Sequence, residues 1–484
     1  MQKRERILNI MTQAGIVAFL LYFFIKLCPL VVFDCDDWMY LYNYRLPIPI
    51  WKGWEPTRVM PETLMPIAGW LAARIIYPIY GDYVYSVTIV SAIIITVMIT
   101  LMCLCLQRLL VVRYHLTIKS AIACEILFLV LFFLIFRNRG TSQCMFTAAD
   151  LCCIYFYTMS GILNAIVVLV LMCYDDMTEM FLSWSRGRKV LFLFLLYFAL
   201  FSNLFHSAIT AIYAGVYLLF DLRKLYCHKK NFKQYVRENI FCLLILVGWG
   251  IVLLFEASGG RADVVGVDMS LDIALAVRQL AAIICALSKP FVILGLLLIL
   301  AIIFYIHTGH LCKNKEMVQT FANMICNGIL LTIFLLLLNA KCGYMSRIDA
   351  SWGIWFYVIT FIVVAIACIV RDIPQISKLM PGIIILSVLA AAYPDGKFSM
   401  STREHTDYQT CVQLDQYVIS SIVEADEKGL PEIIIRIPDH SDDLRSLTYN
   451  EQLGAEVAGC LYAHDIIANK LNVITILDAD MNDP

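Results

Sequence analysis

The chain is built from apolar blocks near 20 residues long, set apart by short polar stretches. A helix of about 20 apolar residues crosses the ~30 Å hydrocarbon core of a bilayer, so the pattern predicts a membrane fold. Eleven spans are expected, at residues 7–33, 84–107, 120–136, 149–174, 189–202, 203–220, 239–255, 290–306, 318–338, 353–370 and 379–393. The fifth and sixth divide one long run, 189–220, interrupted at Ser202 and Asn203. Such a run is too long for one upright helix, and the polar pair predicts a tight helical hairpin.

Between the blocks, residues 34–83 form a long first external loop. Its 61–80 stretch mixes apolar residues with Trp70, Arg74 and tyrosines, and predicts a helix lying at the interface. Residues 257–289 form a second long segment, with an amphipathic stretch at 271–287. After residue 393 the pattern changes. Polar helix-like stretches (408–427 and 450–468) alternate with β-like runs (432–437 and 473–477). That order predicts a small α/β domain over 394–484, after an all-α polytopic domain over 1–393.

Composition agrees: 61% of residues are hydrophobic and 15% charged, against about 45–50% and 25% in soluble domains. Net charge of −1 gives no field for nucleic acid. Residues 1–6 are basic, and no small-residue cleavage site follows, which predicts a retained first helix. With the N-terminus inside, cytoplasmic segments hold 19 Lys and Arg, external loops 11 and the tail 6. The positive-inside rule favours this orientation, with the tail extracytoplasmic. A cluster of Arg223, Lys224, Lys229, Lys230, Lys233 and Arg237 then faces the cytoplasm. Most of the 18 cysteines lie in apolar blocks as small hydrophobes, while Cys411 and Cys460 in the tail are placed to pair in an oxidising compartment.

The candidate chemistry lies in the external segments. Asp34, Asp36 and Asp37 sit where the first helix leaves the membrane, beside Trp38. Carboxylates so close to hydrocarbon are costly, and neighbours push their pKa values apart, which can leave one as a proton acceptor. The competing reading is a loop whose acids cap the next helix. Arg58, between Glu55 and Glu62, offers a planar fork for phosphate or an ion pair with either glutamate. Glu256 to Asp263 contains Gly259, Gly260 and Arg261, which reads as an anion-binding turn or an Arg–Asp pair. His206 follows the hairpin break, as a substrate contact or a packing residue. External Arg58, Arg137, Arg139, Arg261, Lys341 and Arg347 run against the positive-inside bias and point to an anionic ligand at the outer leaflet. There is no HExxH, Walker loop, zinc spacing or GxSxG elbow. No organic cofactor is expected; an acidic loop could hold a divalent cation, but no second ligand set argues for one.

An acidic motif after the first span, a long first external loop and many further spans resemble the GT-C superfamily of membrane glycosyltransferases. The nearest flavour is the bacterial GtrII-type glucosyltransferases, with a small extracytoplasmic C-terminal domain. The resemblance implies a multi-pass cell-membrane enzyme that uses a polyprenyl-phosphate sugar donor and a cell-surface glycan or glycopolymer acceptor at the outer face. It implies Asp36 or Asp37 as general base, Asp34 as an orienting group, and inversion at the sugar carbon. Glycosyl transfer needs a carboxylate at the acceptor proton and cations at the leaving phosphate. Arg58, Arg261 and Arg347 are the phosphate candidates, with Trp38, Glu62, His206 and Glu256 as substrate contacts. A flippase for lipid-linked saccharides is the alternative. It predicts internal repeats and many intramembrane charges, whereas Lys26, Glu125 and Asp150 are the main ones present.

Overall fold

The computed structural model describes residues 2–138, 142–226, 231–263, 272–307, 315–392, 398–402, 406–439 and 450–481. Arg139, Lys229 and Lys230 lie outside these residues.

The chain forms α1 (Gln2–Tyr22), α2 (Cys35–Tyr42), α3 (Val59–Leu71), α4 (Tyr83–Val112) and α5 (Ile118–Leu134). Then come α6 (Leu151–Met172), α7 (Met177–Ser183), α8 (Arg186–Leu200), α9 (Leu204–Tyr226) and α10 (Phe232–Ala257). The remaining bundle helices are α11 (Ile273–Cys285), α12 (Lys289–His307), α13 (Lys315–Cys342), α14 (Trp352–Asp372) and α15 (Met380–Ala392). Polar caps start many of them: Asp82 accepts from the Tyr85 N–H and Asp150 from the Cys153 N–H. Each cap satisfies an amide that the first turn leaves open.

Among the described residues, eight helices are long and apolar enough to cross a membrane: α1, with its continuation to Leu27, α4, α6, α9, α10, α12, α13 and α14. The other three expected spans fall on α5, α8 and α15, of 17, 15 and 13 residues. At about 1.5 Å per residue, α15 reaches roughly 20 Å, less than the hydrocarbon core. The long run does break where expected. Asn203 accepts from the Phe205 N–H with its side chain, while its backbone oxygen takes the Ser207 N–H, so α8 and α9 form a hairpin. The 61–80 stretch is helical, with α3 continuing through a π turn at Ala72–Ile76 to Tyr77–Tyr80.

Helices α6 and α14 are nearly all buried and form the centre. By contrast α1, α10, α12 and α13 expose much of their length, including Ile10, Leu254, Leu297, Phe304 and Leu337. A rim of large exposed apolar side chains around a packed centre suits lipid as the surrounding solvent.

Several helix ends meet. The Cys152 N–H bonds Asp37, and the Met60 N–H bonds the Phe201 carbonyl. Ser288, before α12, bonds carbonyls at the end of α5, and Arg137 bonds the Ala391 carbonyl in the last turn of α15.

The tail comprises α16 (Tyr408–Glu427), β1 (Glu432–Pro438), α17 (Leu453–Ala463) and β2 (Asn472–Asp478). The strands pair in parallel from Glu432 opposite Asn472 to Pro438 opposite Asp478, with α17 between them in sequence, as a parallel pair requires. The tail seats on α2 through α17. Tyr42 donates to Glu456 at 2.9 Å, and Phe398 packs between Phe23 and Phe133, beneath Arg137. Cys411 and Cys460 are not joined in a disulfide: Cys460 faces Tyr83 and His464, while Cys411 faces the Thr406 carbonyl.

Candidate functional site

The acidic motif starts α2. Asp34 is its N-cap, accepting from the Asp36 N–H at 3.1 Å. Asp37 answers by accepting from the Phe33 and Asp34 N–H groups, both at 3.2 Å. This is the reciprocal capping box. The other Asp37 oxygen accepts from the Cys152 N–H at 2.6 Å, tying α2 to the head of α6. Burial, with Asp150 and Asp34 alongside, holds the Asp37 carboxyl well above its usual range. Asp34 and Asp37 are buried, whereas Asp36 is half-buried on the same first turn. Trp38 is buried against Tyr83 and acts as core rather than as a ligand platform.

The π turn Ile154–Met159 interrupts α6 just below this helix start. Such bulges are frequent at functional sites. Here it carries Phe156 and Tyr157. Arg58 stacks over Phe156 at 4.8 Å and Arg347 over Tyr157 at 4.7 Å. Arg261 donates to the Tyr344 hydroxyl at 2.8 Å, and Arg347 lies over that same ring at 5.5 Å. Three arginines from distant parts of the chain thus gather on one aromatic layer. All three are ion-paired. Glu55 takes both Arg58 and Arg261, while Asp349 takes Arg347 through two bonds of 3.0 and 2.6 Å. Burial opposes the Arg58 charge, Glu55 outweighs it, and the pKa rises.

The remaining sequence candidates have structural partners. Glu62 pairs with Arg45 at 2.6 Å, and burial lifts its carboxyl against that pairing. Glu256 accepts from the backbone and hydroxyl of Thr57. His206 is wholly buried, 2.9 Å from the Asp349 carbonyl and edge-on to Tyr157, as a packing residue. The glycine pair does not form an anion nest. The Gly260 and Arg261 N–H groups are spent on the Gly53 and Trp54 carbonyls at 3.0 and 3.2 Å. Gly259 is required by close approach, since a Cβ there would sit 2.7 Å from the Pro56 ring. Arg137 is occupied by backbone carbonyls and Phe398.

Two cavities flank the arginine layer. One of about 380 Å³ opens between Tyr40, Tyr44, Arg45, Trp54, Glu55 and Glu62. The other, about 230 Å³, has Thr147, Ser346, Arg347, Asp349 and Thr402 in its wall. Asp36 lines neither. Asp150, Cys152 and Cys153 hold three ligand-type atoms within 4.8 Å of one another. These groups are engaged already: the Cys152 thiol lies 3.1 Å from Asp150 Oδ1, and Arg347 donates to Cys153 Sγ at 3.1 Å.

Sequence reasoning brought the acidic motif and the three arginines forward but missed Asp349, Tyr157 and Tyr344. The Arg-x-Asp spacing at 347–349 was a readable signal for the ion pair; the aromatic layer had none, because it is assembled by packing. No protein-family model matches the chain, and no curated protein or solved structure matches it either.

Proposed function

We propose that the protein is a GT-C-like membrane glycosyltransferase. It moves a sugar from a polyprenyl-phosphate donor to a cell-surface glycan or glycopolymer at the extracytoplasmic face. The observation that carries this reading is the gathering of Arg58 on Phe156 and of Arg261 and Arg347 on Tyr157 and Tyr344, next to the Asp34–Asp37 helix start. Glu55 takes both Arg58 and Arg261 and neutralises only one of them, so this triad, a wall beside the cavity that Glu55 lines, keeps one positive charge in surplus. Such a wall suits a leaving phosphate.

On this reading the bundle crosses eleven times, with α5, α8 and α15 as short crossings and the N-terminus cytoplasmic. The tail, the carboxylates and the arginines then share the outer face. Asp36 is the general base, because it is the most exposed of the three carboxylates. An Arg58–Arg261 clamp holds the phosphate as negative charge develops on it.

The test uses purified protein in proteoliposomes with a polyprenyl-phosphate hexose as donor. Asp36→Asn should keep the wild-type melting temperature and lose transfer by about 100-fold or more, the usual contribution of a general base. Wild-type transfer by a folded Asp36→Asn protein removes the carboxylate from the mechanism. Asp37→Asn should instead lower the melting temperature, since an amide nitrogen cannot accept from the Cys152 or Phe33 N–H.

A further inference from the structure

At the opposite end of the bundle, α9 and α13 face each other with matching polar stripes. Tyr213, Tyr217 and Asp221 recur every four residues on one helix, and Gln319, Asn323 and Asn327 every four on the other. That spacing keeps each set on one helix face. Between them lies a cavity of about 240 Å³, closed by Arg113, Tyr114 and Tyr357.

Asn327 is 1% exposed. Its amide nitrogen donates to the Asn323 carbonyl at 2.8 Å, while Oδ1 has no partner among the described residues. Asn323 Oδ1 is in the same condition. Two unanswered acceptors on a cavity wall within an apolar helix mark a place for a hydrogen-bonding ligand.

The charges state which kind. Arg113 is held by Asp175 at 2.6 Å, and Asp221 accepts from Asn239 at 2.7 Å. The one guanidinium among these lining residues is thus already paired, which disfavours a phosphate. Tyrosine rings and amides instead match a neutral polyhydroxyl ring, with apolar faces for its C–H groups and dipoles for its hydroxyls.

An adjoining feature fixes the source. A lipid-facing groove of about 380 Å³ runs along α13 and α14, lined by Ile325, Gly328, Ile329, Ile333, Val358 and Phe361. It shares Met324 and Tyr357 with the polar cavity. We propose that the two form one site for a glycolipid, with its uncharged sugar headgroup between α9 and α13 and its chain in the groove. The site lies away from the proposed transfer centre and does not depend on that reading.

The test places the full chain in phosphatidylglycerol nanodiscs with a glucosyl diacylglycerol carrying a diazirine in its acyl chain. Peptide mapping should find label in α13 residues 324–333, about tenfold above that from the same chain on a phosphocholine headgroup, as one or two buried hydrogen bonds provide. Asn327→Leu and Gly328→Leu should each reduce labelling to the phosphocholine level at an unchanged melting temperature. Asn323→Ala should lower it too, and serves should the buried variant misfold. Equal labelling by both headgroups, or full labelling of folded Asn327→Leu and Asn323→Ala proteins, overturns the proposal. Complete displacement by free glucose also overturns it, by assigning the cavity to soluble sugar.

Discussion

Glu55 accepts from two guanidiniums on different segments, and the Gly53 and Trp54 carbonyls just before it receive the backbone N–H groups of Gly260 and Arg261. The position of Arg261 therefore depends on a glycine that makes no contact with any ligand. Gly259→Ala would press a methyl group to 2.7 Å from the Pro56 ring. The turn must open, at a cost of about 1–3 kcal/mol for an overpacked site. The expected result is a lower melting temperature together with weaker donor binding, measured as a raised KM. Gly250→Ala, where a Cβ meets nothing within 4 Å, is the control. Unchanged KM in Gly259→Ala protein would separate Arg261 from the donor.

Among elements, α17 lies against α2, and His464 at its end is the pin. His464 Nδ1 is 2.8 Å from the Tyr83 hydroxyl, and Gly69 leaves room for its ring, since a Cβ there would sit 2.9 Å from Cε1. Burial, with the Arg74 guanidinium nearby, pulls the imidazole from 6.5 down to about 4. A released His464 takes up a proton below pH 6.5 and the docked one does not. Docking is therefore at full strength above pH 6.5 and weakens as pH falls toward 4, by about 3 kcal/mol at most. Buried Asp415, whose carboxyl is raised, acts in the opposite sense. The measurement is therefore a difference: His464→Asn should melt lower at pH 7.5 but lose less on going to pH 4.5 than wild type. Parallel melting curves for the two proteins would remove the pin from the pH response.

The helices were legible in the sequence because a bilayer demands uninterrupted apolar runs, and Ser202–Asn203 betrayed the hairpin for the same reason. The capping role of Asp34 was readable from position. The expected lengths of α5 and α8 match to within a residue, while that of α15 runs two residues over, since apolar residues beyond a helix end look like more helix. Glu55 was offered by the sequence as a partner of Arg58, and that pair forms, but its second bond, to Arg261, spans more than two hundred residues and leaves no local signal.

For the whole molecule, hydrogen bonds bring the ends of α5, α6, α8 and α15 and the start of α12 to one end of the bundle. The proposed orientation then makes a definite demand. Lys428, exposed after α16, should react as Lys428→Cys with a membrane-impermeant maleimide on intact cells, above the wild-type background. Labelling only after permeabilisation would reverse the orientation.

The seat of the tail has a consequence for anyone dividing the protein. Trp38 and Leu41 on α2, and Tyr83 at the head of α4, are covered on one side by residues of α16, α17 and the turn after α17. A chain cut after residue 392 would present these rings to water beside the acidic helix start. The tail is thus a lid built into the fold, and a catalytically silent truncation would report exposed core before it reported anything about acceptor recognition. Fusions and tags belong at exposed Lys428 or in the exposed 469–470 turn, where the cover stays in place.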